Sequence, residues 1–298
     1  MNTTVSLTPR AWFELILLGL IWGASFLAIR IALDDIPVMT SVLHRVFWAA
    51  LVLWVVILLQ RQKIPTEPRI WVAFLVMGLL NNVLPFTLMA WGQLYVETGL
   101  TSILNAATAI FGVLLAAVFF RDERLTLPRL IGVGLGFLGV SIAIGLKQFA
   151  EFSPSSLAQL AILAGTVSYA FAAVWARFHL TGMSPQIAAA GMLTASAIIM
   201  APITLAIDGV PELALPLNSW LAVAYYALVA TAGAYLLYYR VLAQAGSGNL
   251  LLVTLIIPPV AILLGALVRD ESLPPNAFLG FAILGLGLII LSRAGRRD

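Results

Sequence analysis

The chain has no cysteine among its 298 residues, only two histidines, and charge at just 10% of its positions. Without cysteine there can be no disulfide, no thiolate nucleophile and no thiolate metal site. Two histidines are too few for most catalytic metal centres, so no metal site is expected. The shortage of charge excludes more. A water-soluble domain carries charge at roughly 25% of its positions. With 62% hydrophobic residues, this chain cannot cover a water-facing exterior, and its outer surface must face lipid. The net charge of +3 does not point to nucleic acid, because basic residues in such a chain report membrane orientation instead.

What the chain has is long apolar runs. Charge-free stretches cover 70–96, 98–120, 130–146, 152–176, 180–207, 213–239, 241–268 and 272–292, preceded by shorter ones at 15–29 and 46–60. A helix needs about 20 apolar residues to cross a bilayer. Backbone amides in lipid must bond within their own segment, which makes each stretch a helix. The alternation that marks a membrane β-barrel is missing. The expected fold is all-α, an integral membrane protein of ten transmembrane helices.

Lysine and arginine fix an expected orientation. One side collects Arg10, Arg61, Lys63, Arg69, Arg121, Arg124, Arg129, Arg177, Arg240, Arg293, Arg296 and Arg297, whereas the other has only Lys147 and Arg269. The positive-inside rule then places both termini in the cytoplasm. The opposite side is acidic, with Asp34, Asp35, Glu97, Glu151, Asp208 and Glu212. The first span follows a basic residue as a signal peptide would. More spans follow it at once, so it is expected to stay in the protein.

The chain also repeats itself. Arg121-Asp122-Glu123-Arg124-Leu125 returns as Arg269-Asp270-Glu271-Ser272-Leu273, an offset of 148. Gly132 meets Gly280 and Gly139 meets Gly287 at the same offset, and Arg30 meets Arg177 at 147. Two five-helix units are expected, 1–151 and 152–298. Five is odd, so the second unit must enter the membrane upside down. Inverted repeats give a midplane site two related gates, which favours transport over a passive bundle.

At these residues the chain resembles the drug/metabolite transporter superfamily, in its EamA branch. The resemblance rests on Leu20-Ile21-Trp22-Gly23-Ala24-Ser25-Phe26 with Arg30, on Arg45, on the paired Asp-Glu turns and on the glycine-rich fifth and tenth helices. Within that branch it looks most like the YddG-type aromatic amino acid exporters. The resemblance implies a bacterial inner-membrane exporter of amino acids or similar metabolites, without a cofactor. One departure is that Tyr169, not a tryptophan, answers Trp22 at offset 147.

Polar residues within lipid are expensive and need a reason. Asn81, Asn82 and Asn105 are expected to line a central cavity, with Trp22, Phe86, Tyr169, Trp175 and Tyr235 as deep aromatics. Thr101, Thr108, Thr231 and Ser25 are expected to bond helix to helix instead. Arg45 has two readings, a clamp for a cargo carboxylate or a partner for Asp34 or Asp35; the second is preferred. The Asp-Glu turns are expected to sit near the positive end of the following helix. Pro85, Pro258 and Pro259 break backbone bonds within spans and are candidate hinges.

Other signals fail. Gly134-x-Gly136-x-x-Gly139 resembles a dinucleotide fingerprint but lies inside an apolar run, where it makes a small-residue packing face. No nucleophile and base share a helix face, so an intramembrane enzyme is disfavoured. Phosphorylated or nucleotide-sugar cargo would need several buried cations, and only Arg45 qualifies. The partners expected are a small-molecule substrate and membrane lipid.

Overall fold

The structure, a computed structural model, describes residues 8–121, 123–145 and 153–294. Asp122, Lys147, Glu151, Arg296, Arg297 and the expected boundary between units at 151/152 lie outside the described residues. The described residues form ten helices: α1 Pro9–Ala32, α2 Val38–Leu59, α3 Pro68–Gly92, α4 Thr98–Phe119, α5 Leu127–Ile144, α6 Pro154–His179, α7 Pro185–Ile207, α8 Leu217–Gln244, α9 Val253–Arg269 and α10 Pro275–Ala294. Nine of them are long and apolar enough to cross a membrane. The tenth, α9, is a 17-residue helix, shorter than the 241–268 run predicts. Gly246, at φ 75°, leaves the helical conformation inside that run, and the chain turns again at Leu251–Leu252.

The starts are chemically ordinary. Proline opens α1, α6, α7 and α10, where its missing N–H costs nothing. Thr8 and Ser153 each accept from the backbone N–H three residues on, capping α1 and α6. Two helices are less regular. α3 widens to π-helical turns over Leu79–Val83 and α8 over Tyr225–Gly233. These segments overlap at the repeat offset of 147, so the same distortion occurs in the third helix of each half.

Glycine contacts reveal the symmetry. A methyl group added at Gly132 would lie 3.0 Å from the carbonyl of Gly287, and one added at Gly139 would lie 2.6 Å from that of Gly280. Contact numbers rise along α5 as they fall along α10, so the two helices run antiparallel. The offset of 148 turns one of these contacts into the other, which is the signature of a two-fold axis across the helix pair. α2 and α7 repeat the arrangement, with Trp54 Nε1 donating to Thr194 Oγ1 and the backbone of Thr40 to Asp208. Helix ends therefore gather at two faces, one arginine-rich and one acidic. Large apolar side chains such as Leu59, Val118 and Leu217 stand about three-quarters exposed on the outside, where lipid would cover them.

Candidate functional site: a polar layer between the halves

Halfway along the bundle, α1, α2, α3, α6 and α8 bring a set of polar and aromatic side chains together. The π-turns make this possible, because a widened turn frees a carbonyl and re-aims its neighbours. In α8, the Ala230 carbonyl accepts from Trp22 Nε1 at 3.1 Å, and Thr231 Oγ1 donates to the Tyr226 carbonyl at 2.7 Å. In α3, the Leu80 carbonyl accepts from Ser168 Oγ at 2.7 Å. Each half thus leans its first helix on the widened turn of the other half's third helix.

The asparagines form a network. Asn81 Nδ2 donates to the Tyr235 hydroxyl at 3.0 Å, which donates to Asn82 Oδ1 at 3.2 Å. Asn82 Nδ2 donates to Ser196 Oγ at 2.9 Å, and Asn82 is fully buried. Pro85 follows two residues past the widened segment, in the first turn of the helix that resumes there, where its missing donor is tolerated.

Arg45 lies beside this network. Its Nε donates to Thr231 Oγ1 at 3.0 Å, and its guanidinium stacks 3.7 Å from the centre of the Phe86 ring. The phenols of Tyr169, Tyr226 and Tyr235 are within reach of its charge. Among the described residues no carboxylate pairs with it. The expected pairing with Asp34 or Asp35 is therefore wrong. Asp34 is taken by Arg30 at 2.8 Å and Arg269 at 2.5 Å, and Asp35 accepts from Ser219 at 2.5 Å. Both acids sit in the turn after α1, at the membrane edge, where arginines from α1 and α9 reach Asp34 and Ser219 of α8 reaches Asp35. Of the hydroxyls expected to bond helix to helix, Thr231 of α8 does so by accepting from Arg45 of α2, whereas Ser25 donates to the Trp22 carbonyl within α1 and the Thr101 and Thr108 hydroxyls have no partner among the described residues.

Two spaces flank the layer. A cavity of about 180 Å³ on the arginine-rich side is lined by Pro185, Gln186, Ala189, Tyr235, Tyr239 and Arg240, among others. A pocket of about 10 Å³ on the acidic side is lined by Ile29, Ser41, Arg45, Phe86, Ala90 and Tyr226, among others. The second has room for about one water.

Of the candidates read from sequence, Asn81, Asn82, Phe86, Tyr169 and Tyr235 meet here. Trp22 joins from α1 and packs on Tyr238, with ring centres 5.8 Å apart. Trp175 does not. Its Nε1 donates to the Ala73 carbonyl at 3.1 Å and its ring stacks on His179 near the arginine-rich end. Asn105 ends the first segment of α4, where a turn at Ala106–Ala107 interrupts the helix, and bonds to none of these groups. Pro258 and Pro259 lie within α9, Pro258 buried, and its neighbour Ile257 packs with Phe26 of α1. Arg45 was visible in the sequence as the one charge deep in a span. Only the fact that the acids near it in sequence are taken elsewhere shows that it stands alone.

The antiparallel halves, the widened turns and a cation that no described carboxylate neutralises define a multi-pass membrane protein with a polar layer between two related halves. A family model for the EamA-like transporter family matches the chain twice, over residues 11–145 and 156–293, and the chain belongs to that family. The double match gives each half its own copy of the family unit. The chain is 22% identical to the uncharacterized transporter YoaV of Bacillus subtilis, covering 94% of this chain and 96% of that one. It is 25% identical to a protein of Streptantibioticus cattleyicolor named "Probable terminal-alkyne amino-acid exporter", covering 97% and 96%. A solved crystal structure shares the fold with a TM-score of 0.67 at 19% identity, covering 97% of both chains. Family and relatives are transporters, not enzymes.

Proposed function

We propose that this transporter exports amino acids with aromatic or other apolar side chains across the bacterial inner membrane, with both termini in the cytoplasm. The observation that carries this reading is the central layer itself. It offers one cation, amides and phenols, flanked by Phe86, Tyr169 and Trp22, which suits a zwitterion with an apolar side chain. A dianionic phosphate would need more positive charge than Arg45 supplies. The relative named as an amino-acid exporter supports the same substrate class. Alternating access would tilt the halves, 1–151 and 152–298, about the polar layer, bending at Pro85 and Pro258–Pro259. In this reading Asn105 meets cargo only in a state where α4 has shifted, and Trp175 lines the route rather than the site.

The test is counterflow in proteoliposomes of the purified chain with labelled phenylalanine, tryptophan, leucine, glutamate and a sugar phosphate. Saturable counterflow of phenylalanine or tryptophan is expected. Movement of the sugar phosphate alone would sink the reading.

A further inference from the structure

Arg45 presents an unusual electrostatic situation. A guanidinium within a membrane span is costly to bury, and such residues normally pair or line water. Here Nε is satisfied by Thr231. Neither terminal nitrogen has a hydrogen-bond partner among the described residues, and neither is sealed from solvent-sized space. The side chain is half-buried and borders the pocket on the acidic side. The face of Phe86 covers it at 3.7 Å, where the ring's negative quadrupole stands in for an anion. Two more groups nearby are also unused. The Asn81 carbonyl oxygen and the Tyr169 hydroxyl have no partner among the described residues, and neither is sealed off.

Resting on the exporter reading, we propose that the missing counter-ion is the cargo. The substrate's carboxylate docks on the two terminal nitrogens of Arg45, which present the planar fork that grips a carboxylate with two parallel bonds. The Asn81 carbonyl and Tyr169 hydroxyl accept from its ammonium, and Phe86 swings off the guanidinium to admit it. The substrate class is then narrower than amphipathic solutes generally. A free carboxylate is required, and the corresponding amines and amides are not carried. Thr231 holds the Nε edge, so the fork stays aimed at the space between the halves.

Purified protein in detergent and the same protein in proteoliposomes are challenged with phenylalanine, phenylalaninamide and phenethylamine. Phenylalanine should raise the melting temperature and compete in counterflow at least tenfold more effectively than either analogue. Arg45→Gln should lose that preference for the carboxylate, and Arg45→Lys should recover part of it. The analogue comparison on the unaltered chain needs no variant, so a poorly folding Arg45→Gln leaves the test intact. Phenylalaninamide matching phenylalanine, or unchanged discrimination in Arg45→Gln, would overturn the assignment of Arg45 alone. Carboxylate-dependent stabilisation without any counterflow would support the docking site and overturn the exporter reading instead.

Discussion

The same Asp-Glu turn occurs twice, and the two copies behave differently. At the acidic face Glu271 accepts from the backbone N–H of Thr98 at 2.9 Å and from its hydroxyl at 2.8 Å, holding the start of α4. At the arginine-rich face its counterpart Glu123 faces Arg129 at 2.9 Å and the half-exposed Arg177 at 3.5 Å. The sequence explains the difference. The offset of 148 carries Thr98 onto Gly246, which has no hydroxyl to offer and whose φ of 75° turns the backbone out of the helix. Glu271 acts on a helix start in the other half rather than on the helix that follows it, contrary to the sequence expectation. It is favoured there because a carboxylate suits the positive end of α4.

The rest of the acidic face follows Glu271. Asp208 accepts from the N–H and hydroxyl of Thr40, Asp35 accepts from Ser219, and Asp34 binds Arg269. Each of these ties joins one half to the other. Among the described residues the arginine-rich face is also tied across the halves, by Glu14 with Arg240 and Gln244, by Glu123 with Arg177 and by Ser184 with Gln62, but it carries the larger cavity. The acidic face is fastened by carboxylates on helix starts and hydroxyls around a small pocket, whereas the other is tied largely through partly exposed arginines around a wider space.

The sharpest way to break this contrast is Glu271→Ala. It removes two bonds to a charged acceptor, each worth about 1.5–3 kcal/mol. Allowing about 2 kcal/mol in all for replacement by water, the closed acidic face should lose roughly thirtyfold in population. Because the chain has no cysteine, Ala90→Cys in the small pocket is a unique reporter. Its labelling by a membrane-impermeant maleimide should rise more than tenfold in the Glu271→Ala background. Unchanged labelling would mean that Glu271 does not hold that face shut.

How far the sequence showed this depends on the residue. The ten helices and the antiparallel halves follow from apolar runs and an odd helix count, because lipid leaves the backbone no other option. The asparagines and Tyr235 were legible as costly polar groups on lipid-length helices. The widened turns were not, since nothing local in Leu79–Val83 or Tyr225–Gly233 demands an i→i+5 bond. They arise from the fit of α6 and α1 against those carbonyls. Arg45 was misjudged for a related reason. Its isolation depends on which acids other arginines capture, and that is a tertiary fact. Trp175 has the composition of a site residue, but a neighbouring carbonyl claims its indole.

A second test works at the other face. Glu14 is almost fully buried in α1 and binds Arg10, Arg240 and Gln244, tying α1 to α8. Glu14→Gln removes the charge but keeps an acceptor, and Arg240 is more than half exposed and can turn to water. The loss should be about 1 kcal/mol, within the range of partly exposed pairs. The melting temperature should fall by a few degrees. Labelling of Ala243→Cys in the larger cavity should change less than twofold, because that side is already open. A change as large as that from Glu271→Ala would erase the distinction between the faces.

The smallest effect should come from Asp34, and it has a definite sign. Burial alone would raise its pKa, but the hydrogen bond and charge of Arg269, with Arg30 adding to both, hold the carboxyl below the ordinary aspartate value. A depressed value means the tie is at full strength above the unfolded pKa near 3.9 and fades as pH falls through the lower folded one. The carboxylate is two-fifths exposed, so screening keeps the contribution small. Melting temperatures of detergent-purified protein and of Asp34→Asn should therefore differ steadily at pH 5 and above and converge below about pH 4. Curves that stay parallel down to pH 3 would show that Asp34 adds nothing to the fastened face, leaving Glu271, Asp208 and Asp35 to hold it.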